Sequence, residues 1–128
     1  MTLTAHEVAL LSQDELKQAD IEYFREKYGL RFVRALRAVE EGRVARYHFK
    51  PSDSTAWVIR GLRRDYLVIP EIYCSCRSFY QSVVIARKVD TCYHLLAQRI
   101  AEIRNSYEAI ESTDADRRSL LVNWRRTD

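Results

Sequence analysis

Cys74-Ser75-Cys76 and, fifteen residues further on, Cys92-Tyr93-His94 constrain this chain of 128 residues more than any other feature. The two pairs use all three cysteines and one of the three histidines. Three thiols and one imidazole form a complete tetrahedral set for zinc, which favours thiolate sulfur and imidazole nitrogen. Residues two apart in extended chain project to one side, so Cys74 and Cys76 can grip one ion from a strand end or turn. In a regular helix such residues point about 200° apart. Cys92 is therefore expected in the turn before a helix, with His94 in its first turn. An odd number of cysteines disfavours a disulfide framework. Three unrelated buried cysteines would be the bland alternative, but it leaves the two tight pairs unexplained.

The remaining composition narrows the class. With 47% hydrophobic and 30% charged residues, the chain can bury a modest core and is not disordered. Its apolar runs, such as Val83 to Ala86, are too short to span a bilayer. No basic stretch followed by an apolar run opens the sequence, and free thiols suit a reducing compartment. An intracellular protein is expected, in the cytoplasm or nucleoid, or in the nucleus of a eukaryote. Charge is uneven. Residues 1–42 carry six basic and eight acidic groups, residues 43–104 eleven and five, and residues 105–128 four and five. The basic excess surrounds the cysteine pairs. It suits an acidic partner such as nucleic acid, although ordinary solubilising surface has the same signature.

Periodicity supplies an outline. Thr4 and Glu7 have capping-box spacing, and Ser12 and Glu15 repeat it ahead of Leu16, Ala19, Tyr23 and Phe24, which predicts helices ending at Gly29. Phe32, Leu36 and Val39 predict another helix that stops at Gly42. From Arg43 the period changes to two. Residues 43–50, Thr55 to Arg60 and Tyr66 to Ile69 predict three antiparallel strands leading into the first cysteine pair. Residues 78–88 are ambiguous, and a short helix is preferred. Asp90 or Thr91 can cap a helix from about Cys92 to Tyr107, whose stripe of Leu96, Ile100, Ile103 and Tyr107 continues to Ile110. Asp114 to Arg126 predicts a last helix carrying Leu120, Leu121 and Trp124.

A zinc ion with four protein ligands has no open position for water, and no acidic residue occurs between the pairs before Asp90. A structural ion is expected, and with it no enzymatic activity. His6 and His48 lack a cysteine or acid at ligand spacing. The glycines are isolated, so there is no phosphate-binding loop. No nucleophile, base and orienting acid can be assembled from the sequence. Candidate nucleic-acid contacts are Arg60, Arg63 and Arg64 at a strand end and turn, with Arg77, Arg87 and Lys88 between the pairs. Candidate partner contacts are Leu120, Leu121 and Trp124. For the stripe of residues 92–107, core is the better reading.

Cys-x-Cys, fifteen residues, then Cys-x-His is the SWIM-type zinc finger pattern. Beyond the ligands, Arg34-Ala35-Leu36, Tyr73-Cys74-Ser75-Cys76, Ser78-Phe79, Ser82-Val83-Val84 and Cys92-Tyr93-His94-Leu95-Leu96-Ala97 resemble the SWIM subunits of the Shu complex. The resemblance spans roughly residues 30–110. The sequence departs at Tyr93, where that family often has Lys. The resemblance implies an accessory protein of homologous recombination and DNA repair. Such a subunit pairs with a RecA-family recombinase paralogue and works on single-stranded DNA, directly or through that partner. The alternative is a SWIM finger that binds DNA without a recombinase. The expected fold is α+β: an N-terminal helical segment (1–42), a three-stranded antiparallel sheet with a ββα-like SWIM finger (43–110), and a C-terminal helix or tail (111–128).

Overall fold

A computed structural model describes residues 3–77, 79–87 and 91–125. Lys88 and Asp90 lie outside the described residues. Three helices open the chain: α1 (Ala5–Leu11), α2 (Gln18–Tyr28) and α3 (Leu30–Glu40). The Thr4–Glu7 capping box forms in both directions. The repeat at Ser12 does not. The Ser12 hydroxyl instead donates to the Val8 carbonyl at the end of α1, and α2 starts five residues later from Lys17. Between α2 and α3, Gly29 adopts φ 70° and ψ −148°, a conformation closed to side chains with a Cβ, so the chain turns there without a linker.

β1 (Val44–Lys50), β2 (Ser54–Arg60), β3 (Asp65–Ile69), β4 (Tyr73–Cys74) and β5 (Glu108–Thr113) form one sheet in the order β4-β3-β2-β1-β5. The three expected antiparallel strands are present, but the sheet has five strands and is mixed. β4 adds a two-residue antiparallel edge. β5 pairs in parallel with β1, from Ala45 opposite Glu108 to Lys50 opposite Thr113. The expected helical stripe ends early. α4 (Tyr93–Arg104) stops at Asn105, whose left-handed φ of 53° closes the helix in the manner of a C-terminal cap. Residues beyond it become the strand. Phe79–Ile85 forms a π-helical turn, and α5 (Asp114–Trp124) starts from a Thr113 cap.

The sheet has two unequal faces. On one, Val44, Trp57, Ile59, Val68 and Cys74 pack with α1 to α4 in a single large core. Ala35 and Ala38 of α3 and Ala97 and Ala101 of α4 are fully buried there, and their small size lets the two helices approach closely. Helices from residues 1–42 share this core with the sheet; Phe24 stacks on Phe32 at 4.8 Å. Arg104 donates to the carbonyls of Leu11 and Gln13, both at 2.9 Å, which fastens the α1–α2 connection to the end of α4. On the other face, Phe49, Val58 and Leu67 form a smaller cluster closed by Trp124, with Tyr47, Ala56, Leu120 and Leu121 packed against it.

Candidate metal centre

β4 and the bend after it deliver the first pair of ligands. Cys74 ends β4, opposite Val68 of β3. Ser75 points the other way: its backbone N–H donates to the Leu67 carbonyl and its hydroxyl accepts from the Leu67 N–H, both at 3.0 Å. That two-way clamp leaves Cys74 and Cys76 on the side of α4. The second pair sits where α4 begins. Cys92 is the N-cap in extended conformation, and His94 is the second helical residue, as its spacing demands. Arg31 of α3 donates to the Thr91 carbonyl at 3.3 Å and ties this helix start to α3.

The three sulfurs and an imidazole nitrogen of His94 all lie within 4.8 Å of one another, and all four residues are buried. A tetrahedral shell with Zn–S bonds of about 2.3 Å has corners roughly 3.8 Å apart. The set thus needs only a small contraction to close on one ion. Both His94 nitrogens are buried and, among the described residues, have no well-aligned hydrogen-bond partner outside the cysteine cluster. Burying an imidazole unpartnered is costly, and a metal bond would satisfy one of the two nitrogens. The ring itself is held between Tyr66 at 4.5 Å and Tyr93 at 4.0 Å.

Electrostatics agree with a thiolate site. Hydrogen bonds from Cys74 and Cys92 hold the Cys76 thiol far below its ordinary range, against burial and with help from His94. Its two neighbours take the opposite shift. Hydrogen bonds to Cys76 and Cys92, together with burial, push Cys74 far up. At Cys92 the bond with Cys74 pulls down, but the bond with Cys76 and burial outweigh it and push the thiol up to about 12. Thiolates are the metal-binding form of cysteine, so taking a divalent ion would displace thiol protons from the cluster. Backbone donors support the sulfurs: the Phe79 N–H reaches Cys76 Sγ at 3.2 Å, and the Leu95 N–H serves Cys92 at the positive end of α4.

The other candidate residues do not join this centre. Arg60 is paired with Glu108 of β5 at 2.6 Å. Arg64 lies over the Tyr66 ring at 4.9 Å, while Arg63, Arg77 and Arg87 are exposed. On α5, Leu120 and Leu121 are half-buried and Trp124 is only 3% exposed, packed on Tyr47 at 4.8 Å. His6 of α1 meets the edge of Tyr23 of α2, and His48 contacts Asp53 at 3.1 Å, a partner five residues on that strand alternation does not signal. Sequence reasoning also missed Glu7. Fully buried, it accepts from Lys27 at 2.8 Å and from the Tyr28 and Tyr23 hydroxyls, tying α1 to α2. Its only sequence signal is the capping box.

Over 91 residues the chain is 28% identical to the zinc finger SWIM domain-containing protein 7 homolog of Dictyostelium discoideum. The matched stretch is 70% of this chain and 58% of that relative, so the chain spans less than two thirds of the relative's length. No known family profile and no solved structure matches. The chain is thus distantly similar to a SWIM zinc-finger protein, and its buried Cys74, Cys76, Cys92 and His94 cluster suggests zinc.

Proposed function

We propose that this chain is a non-enzymatic, zinc-binding SWIM accessory protein of homologous recombination, an adaptor for a RecA-family recombinase paralogue. The observation that carries the reading is the buried four-ligand cluster, in which one zinc per chain would have its whole shell filled by protein. Such an ion supplies structure: it joins the β4 edge to the start of α4 and leaves no position for substrate or activated water. The resemblance of residues 30–110 to SWIM subunits and the similarity to a SWIM zinc-finger protein support the recombination role and the partner. On this reading α5 is partner-facing. Leu121 and Arg125 border an apolar groove with Leu67, Ile69 and Tyr73, and Val122 stands 63% exposed beside it.

Co-purification of the protein at native abundance, with identification of what it carries, tests the reading. A RecA-family paralogue in near-equal amount is the expected result. Leu121→Ala should weaken that capture while zinc content stays full. A stable partner of unrelated fold would reject the adaptor role, and unchanged capture by the Leu121 variant would reject α5 as the contact.

A further inference from the structure

Beside the metal cluster lies a cleft of about 320 Å³ between α3, the β2–β3 turn and the start of α4. Arg34, Arg37 and Arg43 line it with Tyr66, Tyr93, Gly61 and Leu62, and no carboxylate does. Arg34 and Arg37 are one helical turn apart on α3, a spacing that brings like charges together and mildly destabilises a helix. Among the described residues neither guanidinium has a carboxylate partner. Arg43 is held differently: its Nε meets Glu41 at 3.2 Å outside the cleft and Nη1 donates to the Arg60 carbonyl.

The aromatic walls are already stacked. Arg34 lies over Tyr93 at 4.2 Å, and both tyrosines press on the His94 ring. The turn comes so close that a Cβ on Gly61 would sit 2.7 Å from the Tyr66 ring and 2.5 Å from the Arg64 carbonyl oxygen. Each ring thus has an imidazole on it and a guanidinium or the turn nearby, which leaves little open face for a base. What remains is a concave set of forked donors, with Arg43 partly neutralised by Glu41 and Arg34 and Arg37 left without a carboxylate among the described residues, a geometry that matches phosphate oxygens.

We propose that this cleft binds the phosphodiester backbone of a single nucleic-acid strand, reading charge and not base identity. A strand is favoured over a free phosphate or mononucleotide because the lining offers nothing to hold a base or sugar, while exposed Arg63 on the adjoining turn extends the positive surface. The site is independent of any recombinase partner, so failure of partner capture leaves it standing.

Fluorescence anisotropy of a labelled oligo-dT with the zinc-loaded full chain tests it. Joint Arg34→Ala and Arg37→Ala substitution should weaken binding about tenfold and flatten the slope of log K against log salt by about 1.4, the counterions of two single-strand phosphates. The Lys pair at the same positions should keep the slope, and joint Arg117→Ala and Arg118→Ala on α5 should change neither quantity. Oligo-dA should bind like oligo-dT. Zinc content, read on each sample, certifies the fold. An unaltered slope in the zinc-replete alanine pair would overturn the site, as would a slope lost equally in the lysine pair. Displacement by inorganic phosphate or thymidine monophosphate as effective, per phosphate, as by unlabelled oligonucleotide would overturn the strand. Stronger displacement by polyglutamate would reassign the cleft to an acidic protein segment.

Discussion

The two faces of the sheet solve the same burial problem with unequal means. One face meets four helices and the metal cluster in a continuous core, with Phe24, Phe32, Leu95, Leu96 and Ile100 almost wholly removed from water. The other meets a single terminal helix through Trp124 over Phe49, Val58 and Leu67. The metal centre belongs to the better-filled face but lies at its margin, where β4 contributes two residues and the π-helical turn leaves Tyr80, Val84 and Ile85 exposed. A bound zinc would therefore matter most not in the middle of the core but at a rim with few apolar contacts of its own.

The largest effect expected from breaking this arrangement is at the ligands. Structural zinc binding contributes about 10 kcal/mol or more of folding free energy in thiolate-rich sites. Cys76→Ala should therefore abolish zinc retention and collapse near-UV circular dichroism, with residues 73–94 most affected in hydrogen exchange. Cooperative unfolding at the wild-type midpoint would show that the rim holds without metal. Next comes the centre of the same face. Phe32→Ala should cost about 3–5 kcal/mol in denaturant titration, the usual range for a buried aromatic, and leave zinc bound until the main transition. On the opposite face Trp124→Ala removes a comparable ring but should cost less than that range. α5 is held to the sheet by a small cluster of Trp124 with half-buried Leu120 and Leu121 and can release locally, so amide exchange across it should accelerate while the metal-side core stays protected. Equal global losses for the two substitutions would erase the distinction between the faces.

The smallest effect is expected at Glu7, where α1 meets α2. Burial alone would raise its carboxyl pKa, but the bond to Lys27, the Thr4 N–H and the Tyr28 hydroxyl outweigh burial and hold it below the ordinary value of 4.5. A group depressed in the folded state contributes stability fully above its unfolded pKa and loses it as pH falls through the folded value. Stability should accordingly decline below about pH 4.5, and Glu7→Gln should flatten that acid limb at a cost of about 1–3 kcal/mol near neutrality. An acid limb unchanged by the substitution would mean that other carboxylates control it.

Much of the metal-side architecture is legible in the sequence, because its signals are local. Thr4 with Glu7, the alternation from Val44, and Cys92 at the mouth of a helix each report a geometry set within a few residues. The edge strands are not legible for the opposite reason. Tyr107 and Ile110 extend a helical stripe in register, and only Asn105 announces that the helix has ended. β5 is then fixed by pairing with β1, some sixty residues back in the chain. β4 is two residues long and has no period to detect. In the 79–85 segment Phe79 and Val83 have helical spacing while the run Val83-Val84-Ile85 favours a strand, and the chain resolves the two readings as a π-helix. The four candidate ligands could be grouped from spacing alone. The cleft formed by Arg34, Arg37 and Arg43 could not, since it joins α3 to the β2–β3 turn and the start of α4, both distant in the chain.

The central claim is that one structural zinc closes the rim through Cys74, Cys76, Cys92 and His94. Elemental analysis of protein purified reduced and without chelators tests it most directly, with Cys92→Ala measured alongside. One zinc per chain is expected in the native protein and almost none in the variant. A native value near zero, or undiminished zinc in the variant, would contradict it.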